Sequence, residues 1–311
     1  MTGLASEKAD VLIEAMKWIR EHRGKITVVK VGGSLMEDSF AMMHLYTDLA
    51  FMETVGMKPV VVHGGGAAIS QAMTKAGVSP RFVQGRRYTD DATLAVVREV
   101  LAKEISGSIV DNIKFYGGSA LALSDAFGTN VLYGRKATIQ DESGADVDLG
   151  WVGEVTRVDV DKINECCDKG IIPIIPSYTL VDDEGRGNGE GEGRQGLNVN
   201  ADVAATEVAK QLRANKLVFV SEVNGVRTDP DDPSSMIDSL TADEARKLLA
   251  SGAIVGGMIP KIQSCLKTIE RGVEQIHIIN GRLRHALLLE IFTSQGVGTE
   301  IVDKRPSVVG K

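Results

Sequence analysis

Two apolar strands in this chain run straight into glycine clusters, KITVVKVGGS over Lys25–Ser34 and KPVVVHGGG over Lys58–Gly66, and a helix-like stretch follows each. Bare glycine at a strand-to-helix junction lets backbone N–H groups approach an anion, and the helix N-terminus adds its partial positive charge. Two such junctions predict an α/β fold that holds phosphate between two loops. Neither is a Walker A loop, because no G-x-x-x-x-G-K-[ST] occurs in the chain, and neither is G-x-G-x-x-G. A formal G-x-G-x-x-G does occur at Gly191, Gly193 and Gly196, but no apolar strand feeds it, and a run as glycine-rich as VDDEGRGNGEGEGRQG (181–196) produces the pattern by chance. That run reads as a mobile loop.

Around the two junctions, strand and helix patterns alternate. Strands are expected at Ile26–Val31, Pro59–Val62, Ala120–Ser124, Ile171–Ile175, Lys216–Val220 and Gln275–Ile279. Helices are expected at 39–55, 67–76, 90–108, 159–169, 201–212, 242–251, 259–271 and 284–293, with turn-rich hairpins over 131–158. Such alternation predicts a largely parallel sheet with helices on both faces. An amphipathic helix over Ala5–His22 precedes the first strand, and it either packs on its own domain or docks on another subunit.

The 311 residues are long enough for two lobes, and the glycine-rich run places the break near residue 190. A net charge of −7 argues against nonspecific nucleic-acid binding. Three cysteines, two of them adjacent and none in a C-x-x-C pair, predict a reduced, cytoplasmic protein without disulfides or a zinc site. No apolar run has the length of a membrane span, and MTGLASEKAD does not read as a targeting segment.

Five sets of polar residues invite chemistry. Lys30 ends the first strand two residues before Gly32-Gly33; it either reaches solvent or faces a ligand at the strand's C-terminal end. Lys261 stands in the first turn of a helix, where a cation opposes the helix dipole unless an anion is also there. Asn198, Asn200 and Asp202 place three polar side chains at alternate positions before a helix, more than one N-cap requires. Arg86-Arg87 offer forks for a carboxylate or plain surface charge. His63 reads as a base or as a structural residue at a strand end.

Together the segments VVKVGGSL (28–35), VVVHGGGAAIS (60–70), FVQGRRYTDD (82–91), VGEVTRVD (152–159), NVNADVAA (198–205), GGMIPKI (256–262) and HALLLEIFTSQGVGTEI (285–301) resemble the amino acid kinase family. The match follows the family's order over nearly the whole chain, and the similarity is greatest to members acting on N-acetyl-L-glutamate. The resemblance implies a three-layer αβα sandwich with a central, largely parallel sheet. It divides the chain into an N-terminal oligomerisation helix (1–23), an amino-acid-substrate lobe (24–190) and an ATP-binding lobe with a C-terminal effector segment (191–311). It implies transfer of a phosphoryl group from ATP to the γ-carboxylate of N-acetyl-L-glutamate, in arginine biosynthesis, with Mg²⁺ carried by the ATP phosphates and no metal held directly by the chain. Residue by residue, it implies that Lys30 and Lys261 stabilise the transferring group and that Asp202 holds both lysines. Gly33 and Gly65 would bind phosphoryl oxygens through their N–H groups. Gly64, Gly65, Arg87 and Asn198 would receive the acceptor. The branch resembled is hexameric and arginine-sensitive, so a homo-oligomer, dimer or hexamer, is expected, with Trp18, Lys216, Glu290 and Gly296 near bound L-arginine.

The sequence departs from the family pattern in places. Glu222 replaces a frequent aspartate in SEVNGVRTDP (221–230), Trp18 replaces a tyrosine, ALSDAFGTNVLYGRK (122–136) lacks the usual glycine-lysine-aspartate-glycine, and the loop 184–196 is long. Two other readings remain open at this point: a kinase for a related carboxylate such as an N-modified aminoadipate, and a nucleotide-binding regulator without turnover.

Overall fold

The computed structural model describes residues 2–140, 144–182, 195–229, 232–254, 258–294 and 296–304. Gly256, Gly257 and the glycine-rich loop over 183–194 lie outside the described residues.

Eight strands form the central sheet: β1 (Ile26–Val31), β2 (Lys58–His63), β3 (Ala120–Ala122), β4 (Ile172–Pro176), β5 (Lys216–Ser221), β6 (Ser239–Thr241), β7 (Gln275–Asn280) and β8 (Thr299–Val302). Their order across the sheet is β6-β8-β7-β5-β1-β2-β4-β3. All neighbours run parallel except β7 and β8. Residue period decides which core each side chain enters. Val28, Val60, Val62, Leu217 and Phe219 join one buried cluster. Val29, Val31, Val61, Val218 and Val220 join the cluster on the opposite face. With both faces covered, these strands are continuous apolar runs, as a buried parallel sheet requires.

Side chains cap five of the helix starts. Asp38 accepts the Ala41 N–H, Asp90 that of Thr93, and Asp159 that of Lys162. Asn200 accepts from both Asp202 and Val203, and Thr241 with Glu244 closes a capping box. The helix Gly66–Lys75 has no such cap, because its N-cap is Gly65.

The structure adds to the sequence reading in four places. Strands Leu132–Lys136, Val152–Val158, Tyr178–Val181 and Gly196–Val199 close into a small barrel beside the sheet, where hairpins alone were expected. Gly153 permits this closure, since a Cβ there would come within 2.7 Å of Leu197. The helix expected to end at Ser108 continues to Phe115, with a π-helical stretch over Arg98–Ile105 in its middle. The short strands β6 and β8, at one end of the sheet, are absent from the sequence reading. The helix expected from Arg284 begins at Ala286, because His285 sits at φ 56° with its Nδ1 2.6 Å from Asp48 Oδ1. None of the described helices is long and apolar enough to cross a membrane.

Candidate active site

Lys30 is the penultimate residue of β1 and His63 the last of β2, in register with Val62 and Val31 respectively. The two glycine turns that follow these strands touch. A Cβ on Gly33 would stand 3.1 Å from the Gly66 nitrogen and 3.6 Å from that of Gly65. A Cβ on Gly65 would fall 2.5 Å from Ile105 Cδ1 and 2.7 Å from Leu101 Cδ2. The turns must therefore be glycine for packing as well as for access. The N–H groups of Gly33, Gly65 and Gly66 donate to no backbone acceptor among the described residues.

Above this junction the charges gather. Lys30 Nζ lies 2.7 Å from Asp202 Oδ1, which receives no aligned hydrogen bond, so the contact is an ion pair. Lys261, in the first turn of the helix Met258–Glu270, joins the same field. Burial lowers its pKa, the positive charge of Lys30 lowers it further, and Asp202 and Glu222 act in the opposite sense. Asp202's ion pair among the described residues is with Lys30; Lys261 is held by the shared electrostatics rather than by a direct bridge. Lys30, Lys261 and Asp202 thus share one field, with Glu222 also acting on Lys261 and itself paired with Arg282.

A cavity of about 240 Å³ opens next to this cluster, lined by Gly64, Gly65, Arg87, Glu154, Asn198 and Asn200 among others. Arg87 is 8% exposed. Its Nη2 donates to Gly66 O at 2.9 Å and to Ser70 Oγ at 2.8 Å, its Nη1 approaches Met73 Sδ at 3.2 Å, and Phe82 packs over the guanidinium. Burial lowers its pKa from the usual arginine value, yet arginine remains charged. No carboxylate of the described residues forms an ion pair with it. A buried cation without a counter-anion is costly, and these neutral contacts position the fork for one. Asn198 stands opposite, its Nδ2 donating to Thr89 Oγ1 at 3.1 Å. The site thus gathers Arg87 and Asn198 around one cavity, whose wall at Ala201 and Val203 flanks the Asp202 that pairs with Lys30.

The amino acid kinase family model matches residues 25–280. The chain belongs to the amino acid kinase family. Proteins named acetylglutamate kinase are similar over nearly their full length. That of Methanocaldococcus jannaschii is 42% identical, covering 95% of this chain and 96% of the relative. That of Symbiobacterium thermophilum is 41% identical, covering 97% and 100%. Among solved structures, the N-acetylglutamate synthase from Neisseria gonorrhoeae complexed with coenzyme A and L-arginine aligns with a TM-score of 0.74 at 23% identity. The alignment covers 95% of this chain, which spans 65% of that protein's length. A carbamate kinase from Giardia aligns with a TM-score of 0.59 at 15% identity, covering 90% of this chain and 99% of that one. These two structures establish the shared fold.

This amino acid kinase family member has a second polar cluster, remote from the glycine turns, at the start of β5. Lys216 is buried, with Nζ 2.6 Å from Gln275 Oε1 and 3.2 Å from His277 Nε2. His277 Nδ1 lies 2.6 Å from Glu290 Oε1, while Glu290 Oε2 accepts the N–H groups of Val297 and Gly298. Burial lowers the Lys216 pKa. Burial would raise that of Glu290, but the hydrogen bond and charge of His277 and the two backbone donors win and lower it. Gly296, at φ 64°, leaves no room for a side chain, as its Cβ would sit 2.8 Å from Glu290 Oε2. The N-terminal helix brings up His22, whose pKa falls to about 4 through burial and then the charge of Lys216. Trp18 stacks on His22 at 6.0 Å. The structure therefore brings Lys216, Glu290 and Gly296 together, with Trp18 one ring away. His277, at the centre, escaped the sequence reading; the signal was a histidine at a core position of the apolar strand QIHIIN.

Proposed function

We propose that this chain transfers the γ-phosphoryl group of ATP to the γ-carboxylate of N-acetyl-L-glutamate, giving an acyl phosphate and ADP in arginine biosynthesis. One observation carries the reading. Arg87, without a counter-anion among the described residues, lines one cavity with the glycine backbone of Gly64–Gly66, and Ala201 and Val203, which flank the Asp202 that pairs with Lys30, line it too. Arg87 would take the α-carboxylate of the acceptor by a paired-donor contact. Asn198 would hydrogen-bond the acetylated amine. The γ-carboxylate then lies towards Gly64–Gly65, already ionised at neutral pH, so no general base is required. In a loose phosphoryl-transfer transition state the charge spreads over the equatorial oxygens, where lysines and fixed N–H groups act most strongly. Lys30, Lys261, Gly33 and Gly65 are the groups placed to do so. The donor set fits a triphosphate, and Mg²⁺ bound through its phosphates would neutralise their remaining charge.

The lobe division near residue 190 draws support from the sheet, where β1–β4 fill one half and β5–β8 the other. The β1/β5 boundary between them has the character of a topological switch point, where α/β sheets bind ligands. The exposed Val11, Leu12, Ile13 and Met16 of the N-terminal helix support a homo-oligomer. The Lys216–His277–Glu290 cluster against that helix supports an L-arginine effector site. Hydroxamate trapping with Mg-ATP tests the reaction: product with N-acetyl-L-glutamate, and none with glutamate or N-acetylaspartate, is expected. No product with any carboxylate while ATP still binds would overturn it.

A further inference from the structure

His63 is fully buried beneath the glycine turn and touches no position where a ligand would lie. Its Nδ1 stands 3.0 Å from Gly64 O and its Nε2 2.9 Å from Ser106 Oγ. A carbonyl oxygen only accepts, so Nδ1 carries the proton and donates to Gly64. Burial keeps the ring neutral by lowering its pKa to about 4, which makes Nε2 an acceptor and Ser106 Oγ–H its donor. The Ser106 hydroxyl also lies 2.9 Å from Leu101 O, which has a second lone pair to offer it, but that carbonyl keeps the Ser106 N–H, a bond spanning five residues that belongs to the π-helical stretch, whereas an unprotonated Nε2 has the hydroxyl as its donor. The hydroxyl proton is therefore available to His63. The result is a directed chain from the π-helical stretch through Ser106 and His63 to the carbonyl of Gly64.

That carbonyl shares a peptide plane with the Gly65 N–H. In a trans peptide the two point in opposite directions, and no cis bond occurs among the described residues. Fixing Gly64 O on the ring therefore fixes Gly65 N–H on the far side, where the Gly65 nitrogen approaches Gly33. Glycine itself supplies no such restraint, since it has the widest range of backbone conformations. Leu101 and Ile105 of the same π-helical stretch press on Gly65 from behind.

We propose that His63 is a positioning residue for phosphoryl transfer: its Nδ1–H, oriented by Ser106, holds the Gly64–Gly65 peptide so that the Gly65 N–H faces the transferring group. The proposal rests on the phosphotransfer reading above. It deepens that reading by assigning the aim of one donor to a side chain that never meets the substrate.

Two isosteric variants separate aim from mere packing. In His63→Asn the amide nitrogen replaces Nδ1 and still reaches Gly64 O. In His63→Gln the amide group replaces Nε2 and meets only Ser106. Both lose the ring and should lose similar thermal stability. His63→Gln should lower kcat about 10- to 100-fold, less than the roughly 100- to 1,000-fold for a donor removed outright, because the N–H is mis-aimed and not lost, with the KM for ATP unchanged. His63→Asn should recover most of that kcat. Equal kcat losses in the two variants, or an undiminished kcat in His63→Gln, would overturn the proposal. Crystal structures of both variants provide a readout independent of the substrate: the Gly64–Gly65 peptide should rotate in His63→Gln and keep its orientation in His63→Asn. An unrotated peptide in His63→Gln overturns the proposal even if kcat falls. If the wild type forms no acyl phosphate, the phosphotransfer reading fails on its own, and the peptide orientation still decides whether His63 sets the turn.

Discussion

Arg87 and Lys216 are both buried cations, and their surroundings differ in kind. Arg87 is held by a carbonyl, a hydroxyl and a thioether, with no anion among the described residues. Lys216 sits in a chain that ends on a carboxylate, Lys216–His277–Glu290, whose other oxygen is bound by two backbone N–H groups. The first arrangement has an unmet demand for negative charge; the second has met its own. On the proposed function, an anionic ligand entering the Arg87 pocket would supply what is missing. A ligand at the Lys216 cluster has to replace a contact already made, so binding there is coupled to rearrangement. That is the physical difference between a pocket preorganised for a ligand and a site suited to control.

The contrast can be pushed hardest at the charge cluster beside the pocket. Lys30→Met should reduce kcat on the order of 1,000-fold, as for loss of a cation that meets the transferring group. Nucleotide affinity, measured by calorimetry, should change far less. A parallel fall in affinity would assign Lys30 to binding instead of to the transition state. Next comes Arg87→Lys, which keeps the charge and loses the fork. The KM for the acceptor should rise about 10- to 100-fold, the worth of a charged hydrogen bond, and steady-state kinetics would show it. An unchanged KM would mean that the unmet demand of Arg87 is answered elsewhere.

At the second cluster, Lys216→Met should leave turnover without arginine within about twofold and weaken any arginine inhibition by about tenfold. Inhibition curves for the two proteins decide it, and arginine that leaves the wild-type rate untouched at saturation would remove the effector reading. The smallest effect concerns acid stability. The Glu290 carboxyl is held below its usual value of 4.5. A lowered carboxylate pKa contributes stability above that value and loses it as the pH falls through the folded-state pKa. Glu290→Gln should therefore flatten the acid limb of the urea stability profile below about pH 4.5 and change the limb above it little. An acid limb as steep as the wild type's would show that Glu290 is not held ionised by His277.

The sequence made the β1 and β2 junctions legible because strand, glycine and helix each leave a local mark. Strand Ile26–Val31 is found at its expected bounds, and Lys216 and Gln275 begin their strands as expected. Lys30 and Lys261 stand out because a cation at a strand end or in a helix's first turn has no local partner, and Asp202 because it, Asn198 and Asn200 together exceed what one N-cap requires. What local pattern does not carry is closure and registry. The small barrel depends on pairing between Leu132–Lys136 and Tyr178–Val181, segments far apart in the chain, and on the close approach at Gly153. The π-helical stretch depends on a five-residue bond that its helical periodicity conceals. His277 reads as a core residue until Lys216 and Glu290 are seen on either side of it. Arg87's lack of an anion is a property of its neighbours, so only the folded chain could reveal it.

The segment Asn198–Asp202 ends a barrel strand and begins a helix within five residues. Asn198 faces the acceptor cavity, Asn200 caps the helix through two N–H groups, and Asp202 meets Lys30. A one-residue slip in the strand would turn Asn198 away from the cavity, and any change of length before the cap would shift Asp202 on its helix. On the proposed function, choice of acceptor and alignment of Lys30 would thus be written in a single short stretch. Descendants of this chain can adjust specificity by substitution around the cavity, but not by insertion or deletion here, because both properties would be lost in the same event.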